Sequence, residues 1–225
     1  MYKITFDLRS AISFSHRPTF DSILAWCYLK DKYGEVDQKL NISVNNLENF
    51  DALPLLKHQR GYFMASWLMF DNAIGHEMPQ PKYEGTSSWK KRWAGEHDFL
   101  VAVKDGKTKR IRINAGEFKS YDVPIVVFDL KTVWFYFDSN NVTEVERLVK
   151  THLYGIGKKT SYGYGEITGF TIDKIDFDPF LNSVIRPIPM EPTDLTNGKN
   201  VKSKLMAWKP PYWLPENQTF CIAPQ

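Results

Sequence analysis

A glycine-rich segment offers the most specific chemistry in this 225-residue chain. It reads Gly-Ile-Gly-Lys-Lys-Thr-Ser-Tyr-Gly-Tyr-Gly over residues 155–165. Its glycines allow the backbone to approach a ligand closely, while its lysines, hydroxyls and tyrosines supply charge, hydrogen-bond donors and rings suited to phosphates and bases. The segment therefore predicts a loop that binds a nucleic-acid backbone. The residues expected to make the contacts are Gly155, Gly157, Lys158, Lys159, Thr160, Ser161, Tyr162 and Gly163.

The position of this segment argues against a nucleotide-binding loop. It follows a predicted helix and precedes a predicted strand, whereas phosphate-binding loops of nucleotide-binding proteins run from strand to helix. The remaining alternative is a flexible loop whose lysines are merely solvated.

A second candidate surface lies in a basic stretch between residues 82 and 119. It carries ten Lys or Arg and five Asp or Glu residues, although the whole chain has a net charge of only +3. Asp105-Gly106 supplies the positive φ angles of a tight turn, so strands at 99–103 and 110–114 are predicted to form a basic β-hairpin. Residues two apart on a strand share a face. The hairpin residues expected to contact nucleic acid are Lys107, Lys109, Arg110 and Arg112.

The same insertion interleaves two tryptophans with three cations. Stacking on a base combined with a phosphate contact suits this pattern. The equally weighted alternative is that the tryptophans anchor the insertion to the core. The residues concerned are Trp89, Lys90, Lys91, Arg92 and Trp93.

Periodicity and capping signals predict the elements that position these residues. Alternation predicts strands at 2–9 and 166–177, and apolar runs at 125–128 and 132–137 predict two more. The 3.6-residue pattern predicts one helix from Thr19 to Gly34 and another over 142–152, with Asn141 and Glu144 resembling a capping box. Residues 61–70 are compatible with a buried strand. This order suits an α+β, ferredoxin-like βαββαβ domain over 1–177, with an insertion at about 71–124.

The remaining residues, 178–225, are rich in proline and predict an extended tail packed on the domain or on a partner. Only Cys27 and Cys221 are present, far apart in the sequence, so no disulfide framework or zinc spacing is predicted, and a reducing, cytoplasmic location is expected. The histidines show no metal-ligand spacing, and no membrane span is evident. No metal and no cofactor are expected.

Placed between the last helix and last strand of such a domain, the glycine-rich segment resembles the loop of the RAMP superfamily of CRISPR-associated RNA-binding proteins. Within it, the chain looks most like the fifth CRISPR-associated protein family in its type IV version. Three further segments carry that resemblance. They are Arg-Pro-Thr-Phe-Asp-Ser-Ile-Leu-Ala-Trp at 17–26, Ser-Trp-Lys-Lys-Arg-Trp at 88–93, and Trp-Lys-Pro-Pro-Tyr-Trp at 208–213 with Cys221.

The resemblance implies a non-catalytic subunit that caps the 5′ handle of a CRISPR RNA (crRNA). Its implied partners are the backbone subunit of the effector filament, the large subunit, target DNA beside the adjacent motif and, at the level of the complex, a helicase. The basic hairpin would correspond to the thumb-like projection of such subunits. His16 and Arg17 are expected to join the RNA-binding residues.

Related RAMP proteins cut RNA without metal, using a His or Lys as general acid or base near the first strand and helix. His16 lies in that region and is the candidate catalytic residue of a runner-up hypothesis, a metal-independent endoribonuclease. A third hypothesis is a protein interaction module without nucleic acid, in which the aromatic residues and the proline-rich tail form interfaces.

Overall fold

The computed structural model describes residues 1–34, 50–70, 82–89, 103–104, 107–108, 121–181, 184–191, 203–212 and 214–222, and between 82 and 124 it describes the backbone alone. Within these residues the fold is mixed α/β with antiparallel sheets. The chain forms two compact units, one of Met1–Pro79 with Phe128–Gln225 and one of Gln80–Val127. The described elements are β1 (Tyr2–Leu8), α1 (Phe20–Tyr33), β2 (Lys82–Trp89), β3 (Val103–Lys104), β4 (Lys107–Thr108), β5 (Tyr121–Val127), β6 (Thr132–Phe137), α2 (Val142–His152), β7 (Ile167–Lys174), β8 (Ile188–Pro189), β9 (Ser203–Ala207) and β10 (Gln218–Ile222).

The first unit is built on an antiparallel sheet in the order β6-β1-β7. Ile4 of β1 lies opposite Phe135 on one side and Ile172 on the other. Alternate side chains therefore enter the core, and Ile4 and Phe135 are fully buried. The predicted strand at 2–9 is confirmed as β1, the run at 132–137 is confirmed as β6, and the closing strand is shorter than predicted.

Residues 64–69 run along the free edge of β6, where a buried strand was one interpretation of the sequence. Ala65 bridges Phe137 and Met69 bridges Trp134, so four steps on this segment span three on β6. Such a mismatch is a bulge, which interrupts regular pairing. Ser66 bridges the irregularity because its N–H donates to the Tyr136 carbonyl and its hydroxyl accepts from the Tyr136 N–H.

Both predicted helices are confirmed, although their caps differ in detail from the sequence prediction. α1 follows Thr19 and ends at Gly34, whose φ of +76° suits glycine. The Thr19 hydroxyl does not cap the helix and donates instead to Tyr212. At α2 the Asn141 side chain accepts from the Glu144 N–H as predicted, but the Glu144 carboxylate binds Arg147, so the capping box is half-formed.

A charged cluster ties α1 to α2. Arg147 donates two hydrogen bonds of 2.8–2.9 Å to the Asp31 carboxylate, and the His152 ring lies 2.8 Å from it. Arg147 also contacts Glu144 in its own helix. These hydrogen bonds, chiefly that from Arg147, hold the pKa of Asp31 well below its usual range.

The C-terminal segment contains a second sheet, in the order β8-β10-β9, and is not only the extended tail that its prolines suggested. Arg186, which is fully buried, connects it to the first sheet and to α1. Its guanidinium donates to the carbonyls of Phe63, Ala65 and Trp208 and to the Asp21 carboxylate. The Tyr212 hydroxyl also donates to Asp21, at 2.8 Å. Two segments that carried the family resemblance, 17–26 and 208–213, therefore meet at one buried charge cluster.

In the second unit, the residues that the structure describes form two antiparallel pairs. β2 pairs with β5, and β3 pairs with β4 so that Lys104 lies opposite Lys107. Only two residues separate these partners, as predicted for a hairpin turn at Asp105-Gly106, but the described strands lie closer to the turn than predicted. Trp89 ends β2 and Lys107 begins β4, where only the backbone is described. Lys90, Lys91, Arg92, Trp93, Lys109, Arg110 and Arg112 lie outside the described residues.

The two cysteines of the chain are buried free thiols. Burial raises the pKa of Cys27 to about 12 and that of Cys221 to about 11. Because the thiolate is the reactive form, neither should react appreciably with Ellman's reagent at about pH 8 in the folded protein, and both should react once guanidinium chloride unfolds it. Rapid labelling of one thiol per native chain would contradict this packing.

Within the described residues, no helix has the length and apolar character needed to cross a membrane.

Candidate nucleic-acid interface

The glycine-rich loop connects α2 to β7 and is pinned at its base to the segment that leaves β1. The Lys158 N–H donates to the Ser13 carbonyl, and the Gly165 N–H donates to the Ala11 carbonyl at 2.9 Å. Ile156, near the start of the loop, is 1% exposed and packs into the core. Its N–H donates to the Gly165 carbonyl. The loop is therefore attached at both ends and presents its middle residues to solvent.

The tip of the loop is a compact turn. Thr160–Tyr162 form one turn of 3₁₀ helix, flanked by Lys159 at φ +59° and Gly163 at φ +87°. Tyr162 is 69% exposed and the Lys159 ammonium lies 5.2 Å from the centre of its ring. A left-handed conformation at a residue other than glycine costs about 1–2 kcal/mol. The contacts of the surrounding turn must offset this cost, and they thereby hold Lys159 in place.

An open groove of about 820 Å³ separates the loop from α1. The loop forms one wall, and the other consists of residues from the β1–α1 connection and the exposed face of α1. This groove is the candidate interface. The lining residues used below are His16, Ser22, Trp26, Lys30, Tyr154, Gly155, Gly157, Lys158, Thr160, Ser161, Gly163 and Glu166.

Cations and aromatic rings alternate along the groove. Lys30 lies 5.1 Å from the ring centres of both Trp26 and Tyr154, which are 44% and 67% exposed. Glu166 is the one acidic residue among the described lining residues, and its carboxylate pairs with Arg9 at 3.1 Å. The groove thus presents positive charge and exposed rings, the two features that binding sites for single-stranded nucleic acids combine.

The structure brings most of the predicted loop residues together. Gly155, Gly157, Lys158, Thr160, Ser161, Gly163 and His16 all line the groove. Lys159 and Tyr162 form the outer tip of the loop. Arg17 lies one residue beyond His16 and lines an adjacent groove, where its guanidinium is 4.6 Å from the centre of the Trp67 ring.

Sequence reasoning missed three residues of this site, Trp26, Lys30 and Tyr154. The buried stripe of α1 contains Phe20, Ile23, Leu24 and Cys27. Trp26 falls outside that stripe and has a lysine four residues later on the same helix face. A tryptophan outside the apolar stripe, with a lysine on the same face, was the signal in the sequence that could have indicated this part of the site.

His16 is exposed at the mouth of the groove. None of the residues that the structure describes hydrogen-bonds its imidazole. Nor do three or more His, Cys, Asp or Glu side chains converge anywhere in the described ranges in a way that could hold a metal ion.

Two glycines of the loop provide a matched pair for testing its backbone. At Gly165, where φ is +64°, a Cβ would overlap the Ile156 carbonyl, whereas at Gly163, where φ is +87°, it would meet open space. Gly163→Ala should lower the free energy of unfolding by about 1 kcal/mol, and Gly165→Ala by roughly 3 kcal/mol, because a steric clash adds to the left-handed strain. Urea denaturation followed by circular dichroism measures both. Equal losses would show that the loop base is not packed as described.

A search of the curated proteins gives no match for this chain. A family model described as CRISPR type IV associated protein Csf3 matches residues 1–224, which is almost the entire sequence. The match confirms the type IV CRISPR association predicted from the sequence, while the narrower resemblance to the RAMP superfamily stays a prediction. The chain belongs to the Csf3 family of CRISPR type IV associated proteins.

Proposed function

We propose that this protein is a non-catalytic crRNA-binding subunit of a type IV CRISPR effector complex and that the groove between the glycine-rich loop and α1 holds the 5′ handle. The groove itself carries the proposal. It combines a glycine-rich backbone, Lys30 and Lys158, and the exposed rings of Trp26 and Tyr154 in one concave surface.

Single-stranded RNA fits this surface better than a duplex does. Unpaired bases can stack on the rings of Trp26 and Tyr154, which flank Lys30, and each stacked base contributes about 1–3 kcal/mol in comparable sites. Phosphates can meet the lysines, and they can approach the backbone closely at Gly163, where a side chain would meet open space. The pairing of Glu166 with Arg9 reduces the repulsion that a free carboxylate would exert on phosphates.

The strand order supports the assignment to the RAMP superfamily. The sheet β7-β1-β6, extended at β6 by the bridged residues 65–69, has the arrangement expected of a ferredoxin-like βαββαβ domain. The loop then lies between the second helix and the last strand, where the resemblance placed it. The sheet order and the loop position are independent observations in favour of the same family.

Binding without cleavage is the better interpretation of His16. A histidine that acts as a general base is ordinarily oriented by a second group that bonds its other ring nitrogen. The described residues supply no such partner for His16. We therefore assign it to phosphate or base contact in the groove.

The proposed complex contains the filament backbone subunit and the large subunit, with target DNA and a helicase engaged at the level of the whole assembly. The basic second unit, with its hairpin at β3 and β4, is the proposed thumb-like projection. Its role in contacting RNA or target DNA rests on the family resemblance and on its charge.

Titration of the purified full-length chain with the repeat-derived 5′ handle tests this function. We expect saturable binding that weakens steeply with salt, because phosphate contacts release counterions, and at least tenfold weaker binding of a scrambled RNA of equal length. Equal affinity for both RNAs would refute recognition of the handle. Incubation with full repeat RNA in EDTA should leave it intact; specific cuts that disappear in His16→Ala would establish the endoribonuclease instead.

A further inference from the structure

A second groove, of about 690 Å³, lies on the other side of residues 16–19. Its walls are the β1–α1 connection, Trp67 beside β6, and the C-terminal sheet. It occupies the same compact unit as the loop–helix groove. The lining residues that matter here are His16, Arg17, Trp67, Lys204, Tyr212 and Gln218.

The two grooves adjoin each other, because His16, Pro18 and Ser22 line both of them. A chain that leaves the glycine-rich loop past His16 needs to cross only these shared residues to enter the second groove. For a polymer ligand, two adjoining grooves can serve as one path.

The charge of the second groove matches that of a polyanion. Arg17 and the exposed Lys204 line it, and none of its described lining residues is acidic. Arg17 lies close to two rings, with its guanidinium 4.6 Å from the centre of Trp67 and 4.8 Å from that of Phe70. These contacts restrict the position of the guanidinium, a planar group whose N–H donors match the geometry of phosphate.

We infer that the groove between Arg17 and Lys204 is a second binding site for single-stranded RNA, which continues the path from the loop–helix groove to the C-terminal sheet. This inference rests on the proposed function, since it extends the same RNA. An acidic peptide of a partner subunit would match the two cations as well. The position next to the first groove and the rings beside Arg17 favour nucleotides, which offer both phosphates and bases.

RNA length separates the two grooves experimentally. Labelled RNAs that begin at the 5′ end of the handle and extend from about 4 to about 16 nucleotides cover the lengths that single-strand grooves accommodate. The full-length chain should bind longer RNAs more tightly until both grooves are filled. Lys204→Glu should leave binding of the shortest RNA unaffected and weaken binding of the longest RNA roughly tenfold. The salt slope, which is the fall of log affinity with log salt concentration, should decrease by about 0.7–1 for the longest RNA. Lys150→Glu is the control, because it makes the same charge change at an exposed site on α2 that lines neither groove.

The wild-type chain supplies a second readout. Long RNA should protect Lys204 from acetylation by a lysine-specific reagent, and short RNA should not. If Lys204→Glu binds every length like wild type, or if RNA leaves Lys204 unprotected, the second site is refuted. Normal RNA binding combined with loss of a partner subunit would make this groove a protein interface and would also refute it. Failure of wild type to bind even the short RNA would instead overturn the proposed function.

Discussion

Replacing Lys158 and Lys159 together by alanine is expected to lower the affinity for handle RNA roughly 100-fold at low salt. A hydrogen bond to a charged group contributes about 1.5–3 kcal/mol, so removing two such hydrogen bonds from an RNA interface costs about 3 kcal/mol. Because each phosphate contact to a single strand contributes about 0.7 to the salt slope, that slope should fall by about 1.4. Fluorescence anisotropy at several salt concentrations measures both quantities.

The two lysines should not contribute equally. Lys158 lines the groove, whereas Lys159 lies over the Tyr162 ring at the outer tip of the loop. Lys158→Ala alone should therefore account for the larger share of the affinity loss. Lys150→Ala, on the exposed face of α2, is the matched control and should bind like wild type. An unchanged salt slope in the double variant would show that these ammonium groups do not meet phosphates.

Replacing Arg186 by methionine is expected to cost about 3–5 kcal/mol of stability, because it leaves the fully buried Asp21 carboxylate without its cation. The same change removes the donors to the carbonyls of Ala65 and Trp208, which join the C-terminal sheet to the segment that runs along β6. Urea unfolding monitored by circular dichroism measures the loss.

Arg147→Met provides the control for burial. Arg147 pairs with Asp31 as Arg186 pairs with Asp21, but its side chain is 45% exposed and solvent screens the pair. Arg147→Met should therefore lower the free energy of unfolding by only a small part of the loss expected for Arg186→Met. Adding Asp21→Asn to Arg186→Met should restore part of the stability, since the uncompensated charge is then gone. Equal effects of the two arginine replacements would contradict a buried Arg186–Asp21 pair.

The elements that local patterns specify were predictable. The alternation of β1, the apolar run of β6, the Asn141 cap of α2 and the Gly34 stop of α1 each depend on residues close together in the chain. The pairing of Lys104 with Lys107 belongs to the same class, because the Asp-Gly sequence between them has an intrinsic preference for a tight turn.

The C-terminal sheet and its buried cluster were not predictable in this way. Arg186 and Asp21 lie 165 positions apart, and no local pattern links them. A proline-rich sequence indicates extended chain, but it does not show that β9 and β10 pair with each other. Residues 64–69 escaped a firm assignment because a bulge against β6 breaks their alternation.

Only the wall of the candidate site that the glycine-rich loop forms was predictable from the sequence. Glycines and lysines at 155–165 indicated the loop, since close backbone approach and positive charge are local properties. The opposite wall needed knowledge of how α1 packs. The sequence placed Trp26 and Lys30 outside the apolar stripe of α1, but it did not show that they lie across a groove from the loop.

Photo-crosslinking of handle RNA that contains 4-thiouridine tests the central claim most directly. The full-length chain is irradiated with the RNA bound, and the crosslinked peptides are identified by mass spectrometry. We predict crosslinks to peptides that contain Tyr154 and Tyr162 from the loop and Trp26 from α1, the exposed rings at the groove and the loop tip. Efficient crosslinks confined to other parts of the chain, with none in residues 154–165, would contradict the assignment of this groove to RNA.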